Sequence, residues 1–201
     1  MSSHYYTNRP TVESNQKSWT YTLKNNLLKF TSDNGVFSKN TVDFGSRLLI
    51  ESFDIPAELQ KTSLLDVGCG YGTFGIAYGK AYPELSIEMV DVNERAIELA
   101  KLNANLNGVS NVIIHPSYIY DEVEGRDFGI VISNPPIRAG KKVVHQIIAE
   151  AHQYLREGGY LVIVIQKKQG APSAEKLMED VYGNCEKIAK DKGYWILVSQ
   201  K

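Results

Sequence analysis

The sequence predicts an α/β protein with a doubly wound, mostly parallel sheet that ends in an antiparallel hairpin. Three observations carry this. From residue 62 onward, short apolar runs alternate with helical ones. A glycine-rich turn joins the first of these strands to its helix, and the last two runs are separated by a turn alone. A chain of 201 residues suits one domain with a sizeable core.

Residues 1–18 are polar, lack a hydrophobic period, and read as an arm or surface layer. Residues 19–61 form an extension ahead of the core. In it Trp19, Tyr21 and Leu23 alternate, Leu28 and Phe30 follow, and Asn25-Asn26 reads as a hairpin turn. A loop over 33–43 contains Gly35-Val36-Phe37-Ser38. A helix bearing Leu48, Leu49, Ile50 and Phe53 stops before Pro56.

The core, 62–201, opens with a strand over 63–67, the turn 68–72 and a small-residue helix to about Ala81. Residues 86–90 make the second strand. A broad apolar helix over 93–107 is closed by Gly108. Residues 111–115 and 128–133 make the third and fourth strands. Val143, Ile147, Ala151 and Leu155 recur every four residues, a helix ending at Gly158-Gly159. A strand over 160–166 follows, then a short helix with Leu177, Met178, Val181 and Tyr182. Residues 185–190 and 194–199 form the terminal hairpin, turned at Asp191-Lys192-Gly193. Ligands of such sheets sit at the carboxyl ends of the strands. The loops 68–72, 91–93, 117–118 and 134–141 all follow strands, so they are expected to converge on one face.

Hydrophobic residues make up 43% and charged residues 22%, ordinary for a globular protein, and the net charge is -1. No overall field draws nucleic acid, so any contact with RNA has to come from a local basic patch. Cys69 and Cys185 lie far apart, which argues against a disulfide framework and fits a reducing cytoplasm. With His4, His115, His145 and His152 they give no zinc spacing, so no metal is expected. The opening residues carry no apolar signal core. Runs such as 161–165 are far too short to span a bilayer, so no membrane role is expected.

Asp66-Val67-Gly68-Cys69-Gly70-Tyr71-Gly72 follows a strand and opens a helix, and its glycines allow a tight turn and close approach to a ligand. The segment Gly70 to Gly75 also matches the dinucleotide pattern G-x-G-x-x-G, which leaves an NAD(P) enzyme open. Asp91 ends the second strand, where an acid can accept both ribose hydroxyl protons of an adenosyl group. Its plain alternative is a loop residue or a cap for the next helix. Cys69, Gly72, Val92 and Asn93 share these two turns, and Ser117-Tyr118 follow the third strand; all are expected cofactor contacts. Asp66 separates the candidates. A further carboxylate repels a pyrophosphate, but helps the sulfonium and ammonium of S-adenosylmethionine (SAM), directly or through water. Asp66 to Gly72 followed by Asp91 resembles motifs one and two of class I SAM-dependent methyltransferases, which implies a Rossmann-like sheet of seven strands.

Ser133-Asn134-Pro135-Pro136-Ile137 follows the fourth strand. It resembles the signature of methyltransferases acting on amino groups conjugated to a π system. Such an amine is a poor nucleophile because its lone pair is delocalised. The Asn134 side-chain oxygen and the Pro135 carbonyl can each accept one N–H, while adjacent prolines stiffen the loop. Pro136 and Ile137 complete the expected catalytic tetrapeptide. Asn134 also borders the cofactor. The plain alternative is a rigid turn that ends a strand. Ile137 stands where an aromatic residue is usual in that signature, and Phe37 is a candidate to supply the stacking face; otherwise Phe37 is core.

Taken with Val42-Asp43-Phe44-Gly45, Arg138-Ala139-Gly140-Lys141 and Gln166-Lys167-Lys168-Gln169-Gly170-Ala171, these segments look like the small-subunit ribosomal RNA guanine-N2 methyltransferase family. The resemblance is narrower still to a short single-domain branch found in Gram-positive bacteria, and covers roughly residues 20–200. It implies SAM as cofactor and ribosomal RNA or the small ribosomal subunit as partner. Two departures stand out. Larger members carry a second methyltransferase-like domain in front. Their third strand is often followed by Ser-Asp, where this chain has Ser117-Tyr118. Arg138, Lys141, Lys167 and Lys168, with Lys142, fall on the predicted active face as an RNA-backbone patch. The aromatic arm (Tyr5, Tyr6, Trp19, Tyr21) is a further candidate contact. The alternatives are protein glutamine-N5 methylation, DNA adenine-N6 methylation, and a non-catalytic SAM-fold module.

Overall fold

The computed structural model describes residues 9–201. His4, Tyr5 and Tyr6 lie outside the described residues. Strands β1 (Lys17–Leu23) and β2 (Asn26–Ser32) pair antiparallel through Lys24-Asn25, with φ of 47° and 63°. Two positive φ angles make a turn whose twist matches its strands. The expected turn at Asn25-Asn26 is one residue late, because Asn26 pairs with Leu23 as the last rung of the ladder. Ahead of β1, Ser14 and the Asn15 amide donate to Asp33, so this stretch lies on the 33–35 loop as a surface layer.

The core elements follow as α1 (Phe44–Ser52), β3 (Ser63–Val67), α2 (Thr73–Ala81), β4 (Ser86–Asp91), α3 (Glu94–Leu106), β5 (Val112–Pro116) and β6 (Phe128–Ser133). Then come α4 (Lys141–Tyr154), β7 (Leu155–Gln166), α5 (Ala171–Tyr182), β8 (Glu186–Asp191) and β9 (Tyr194–Gln200). The seven-stranded sheet runs β5-β4-β3-β6-β7-β9-β8, parallel through its first five strands and antiparallel at β9 and β8. This is the doubly wound class expected, with the terminal hairpin at one edge.

One boundary, that between α4 and β7, differs by several residues. The helix α4 stops at Tyr154, not at Gly158-Gly159. Leu155 turns extended (φ -76°, ψ 140°) and pairs with Phe128 at the start of β7. A register shift between Phe128 and Ile130 absorbs the residues that follow, and the Gly158 and Lys201 amides exchange bonds with Lys201 and Gly159. Leu155 is buried in the core beneath α4 and α5, and a buried apolar residue at four-residue spacing does not by itself tell the end of a helix from the start of a strand.

The sheet alternates strictly. Leu64, Ile130, Ile132, Val162 and Val164 face one core with α1, α2 and α3; Leu65, Val131, Leu161, Ile163 and Ile165 face the other with α4 and α5. Gly75 lets α2 lie flat on β4: a Cβ there would sit 1.9 Å from Met89 Sδ. The chain crosses from β5 at one edge to β6 beside β3. That reversal opens a crevice at the strand ends, the usual ligand position in this architecture. Among the described residues no helix is long and apolar enough to cross a membrane. Among the same residues, no group of three or more His, Cys, Asp or Glu could hold a metal ion.

Candidate active site

A cavity of about 640 Å³ lies at that reversal, a size that suits a ligand of several hundred daltons. The four expected loops do converge on it. Gly68, Cys69, Gly70, Asp91, Val92, Asn93, Ser117 and Tyr118 line one part, and Phe37, Asn134, Pro135, Pro136, Ile137 and Arg138 another.

The first part is built by backbone geometry. Gly68 and Gly70 hold φ of 72° and 56°, and a Cβ on either would meet no atom within 4 Å, so backbone faces open space. Asp91 straps the turn: Oδ2 accepts the Gly70 amide at 2.9 Å and Oδ1 the Asn93 amide at 2.8 Å. Burial raises the Asp91 carboxyl above its usual range, partly offset by these amides. The helix cap is Asn93, not Asp91. Asn93 accepts from the Arg95 and Ala96 amides and donates to Gly35, tying the 35–38 loop to the site. Burial holds Cys69 as a neutral thiol, pushing it well above its ordinary value. Ser117 braces its own loop by donating to Ile119 and accepting from Glu122, whereas Tyr118 is exposed on the rim.

Asp66 and Gly72 do not line the cavity. The alternation that turns Leu64 toward α2 turns Asp66 there too. Asp66 is fully buried, its Oδ2 accepts the Gly75 amide at 3.1 Å, and its Oδ1 has no partner. Burial first, and then the charge of Asp91, push its carboxyl up to about 8 against the opposing Gly75 bond.

The second part centres on Asn134. Its Nδ2 donates to Asp43 Oδ2 and to Ser46 Oγ, both at 3.1 Å. A carboxylate can only accept, so the amide nitrogen is fixed on the Asp43 side and Oδ1 is left for the cavity. Asp43 also caps α1 by accepting the Ser46 amide at 3.0 Å. Tyr71 and Tyr194, which line the same cavity, titrate above the ordinary phenol value; burial leads, and the Asp43 charge contributes to both. Phe37 is 58% exposed at the rim, which removes the core reading for it. Ile137 is half-buried in a 3-10 turn over Ile137–Ala139.

Sequence reasoning missed Asp43 and Ser46 as site residues, along with Gln166, Gln169 and Tyr194, which also line the cavity. The signal for Asp43 was its place as a helix cap after an unusual loop, though nothing local pointed to residue 134. Lys141, Lys167 and Lys168 are exposed and stand outside the cavity lining, and they form no ion pair among the described residues. Arg138 lines the cavity.

The chain is 48% identical over 202 residues to uncharacterized protein YbxB of Bacillus subtilis (strain 168), covering 100% of both. It is 34% identical over 189 residues to ribosomal RNA small subunit methyltransferase C of Vibrio parahaemolyticus, covering 92% of this chain and 53% of that one. The chain thus spans about half the length of that relative. Among solved structures, the T. thermophilus 16S rRNA N2 methyltransferase in complex with AdoMet and guanosine superposes with a TM-score of 0.82 at 22% identity. That match covers 96% of this chain and 52% of the other, and it is a likeness of fold. Residues 27–198 match the family described as methyltransferase small domain, and the chain belongs to that family.

Proposed function

We propose that this chain uses SAM to methylate an exocyclic base amine, guanine N2 of small-subunit ribosomal RNA, in the cytoplasm. The observation that carries the reading is the fixed orientation of Asn134, whose amide nitrogen is spent on Asp43 and Ser46. Its oxygen then faces a cavity flanked by Pro135 and Pro136. The names of the methyltransferase C relatives support the RNA substrate.

The residues present fit SAM. The open glycine backbone at Gly68 and Gly70 and the Asp91 carboxylate are suited to hold the adenosyl and amino acid portions. Asp66, one layer behind and with its carboxyl pushed up to about 8 by burial, does not supply the negative charge expected against a pyrophosphate, so the cofactor reading rests on the glycine turn and Asp91. When bound, SAM supplies an electrophilic methyl group. The chain's own work is on the acceptor. Asn134 Oδ1 and the Pro135 carbonyl each take one N–H, which holds the nitrogen and draws its lone pair out of conjugation. Phe37, Tyr118 and Ile137 offer faces for a flipped base. No general base is required, because the proton can leave after transfer.

Asp91→Ala should weaken SAM binding by about 1.5–3 kcal/mol, the scale of hydrogen bonds to a charged group. Calorimetry with SAM and NADH checks this, and a signal for NADH alone would overturn the cofactor assignment. Incubation with tritiated SAM and small ribosomal subunits, followed by nucleoside analysis, tests the reaction: N2-methylguanosine is expected, and label in protein glutamine would refute it. Neutralising Arg138, Lys141, Lys167 and Lys168 together should weaken RNA binding regardless of sequence. The salt dependence should flatten by roughly 0.7–0.9 for each phosphate that is no longer neutralised. Unchanged binding at moderate salt would make the patch ordinary solvated surface.

A further inference from the structure

The geometry points to Asp43 as the residue that selects guanine: its second oxygen takes the guanine N1–H while Asn134 Oδ1 takes an N–H of the neighbouring N2 amine. This rests on the guanine-N2 reading above.

The two oxygens of Asp43 are used unequally. Oδ2 accepts the Ser46 amide and Asn134 Nδ2, at 3.0 and 3.1 Å. Oδ1 has no partner among the described residues, yet it is not one of the sealed, unsatisfied buried atoms, so solvent reaches it. The same holds for Asn134 Oδ1. Both residues line the cavity, and the hydrogen bond between them holds their side chains side by side. The wall therefore presents two neighbouring acceptors and no donor between them.

Base edges differ in what they offer to such a pair. Guanine presents two adjacent donors, N1–H and the N2 amine. Adenine presents its N6 amine beside the N1 acceptor, and cytosine its N4 amine beside the N3 acceptor. Against Asp43 those ring nitrogens set lone pair against lone pair and leave a carboxylate oxygen unpaired in a partly buried site. Sites built to hydrogen-bond a group reject analogues that lack it far more strongly than shape alone does. Asn134 holds any conjugated amine, whereas Asp43 decides which ring carries it.

The test uses the full chain with S-adenosylhomocysteine present and measures binding of guanosine, 1-methylguanosine and adenosine by saturation-transfer NMR and competition. Wild type should favour guanosine over both others. Asp43→Ala should bind guanosine about tenfold to a hundredfold more weakly and no longer distinguish it from 1-methylguanosine. Asp43→Asn gives a sharper readout. Asparagine caps helices as well as aspartate does, so the fold should stand. To accept from Ser46 and Asn134 it must place its own oxygen there, which turns its NH2 into the cavity. That donor opposes guanine N1–H and suits adenine N1, so selection should reverse toward adenosine. A purely structural Asp43 predicts no reversal. Either variant retaining the wild-type ratio of guanosine to 1-methylguanosine overturns the assignment, as does a defect confined to S-adenosylhomocysteine affinity. Wild-type methylation of small subunits is scored separately. N2-methylguanosine formed alongside unchanged selection in both variants keeps the function and removes Asp43; no label in RNA removes the function, while the nucleoside ratios still judge Asp43.

Discussion

Asn134→Ala should lower methyl transfer by a hundredfold or more while SAM affinity and thermal stability stay close to wild type. The size follows from the role of the side chain. One preorganised polar partner of the reacting group is typically worth on the order of 10²–10³ in rate. Asn134 meets this description because its nitrogen is anchored on Asp43 and Ser46 and its oxygen costs no reorganisation to use. Stability should hold because Asn134 is half-buried and both partners keep other bonds or reach the cavity; Asp43 still caps α1. Asn134→Asp separates orientation from size. It places a second carboxylate 3.1 Å from Asp43, so repulsion displaces the side chain, and activity should fall as far as in the alanine variant. Single-turnover transfer at saturating SAM checks both. Wild-type rates in Asn134→Ala would rule out the amine clamp.

Features written in local sequence were legible, and those made by distant contacts were not. Strands 63–67 and 128–133 were read to the residue because short apolar runs bounded by turn residues leave one interpretation. The convergence of the strand-end loops followed from topology alone. Leu155 misled because an apolar residue at four-residue spacing suits a helix end as well as a buried strand start; its pairing with Phe128 decides. Asp66 stood out as an acid at a strand end, yet its direction depended on the two-residue alternation of β3, which turns it under α2 rather than into the cavity. Asp43 and Asn134 are 91 positions apart. Asn134 was legible in a strand-end turn and Asp43 only as the end of a loop before a helix, and they meet only once α1 packs over the sheet.

Stability of the ligand-free protein should fall as pH rises from about 4 toward about 8, and Asp66→Asn should remove much of that slope. The folded Asp66 carboxyl is raised to about 8 from an ordinary 3.8, chiefly by burial. Between those values the folded state holds a proton that the unfolded chain has released. The stabilising contribution is therefore complete below the unfolded value and is lost as pH climbs through the folded one. The slope approaches about 1.4 kcal/mol per pH unit and levels off above about 8. Asp91 shifts in the same direction, while Asp33, lowered by bonds from Ser14, Asn15 and Asn34 despite some desolvation, acts in the opposite sense. The difference between wild type and variant is for that reason the quantity to measure. Asparagine keeps an oxygen for the Gly75 amide and carries no titrating proton. It also leaves its NH2 in the place where Oδ1 finds no partner, a cost of about 1–3 kcal/mol. The variant should be the less stable form near pH 4 and the more stable one at pH 8, with a crossing between. Urea unfolding at pH 4, 5, 6, 7 and 8 decides it, and a stability difference that stays constant across that range would mean Asp66 is ionised in the folded protein.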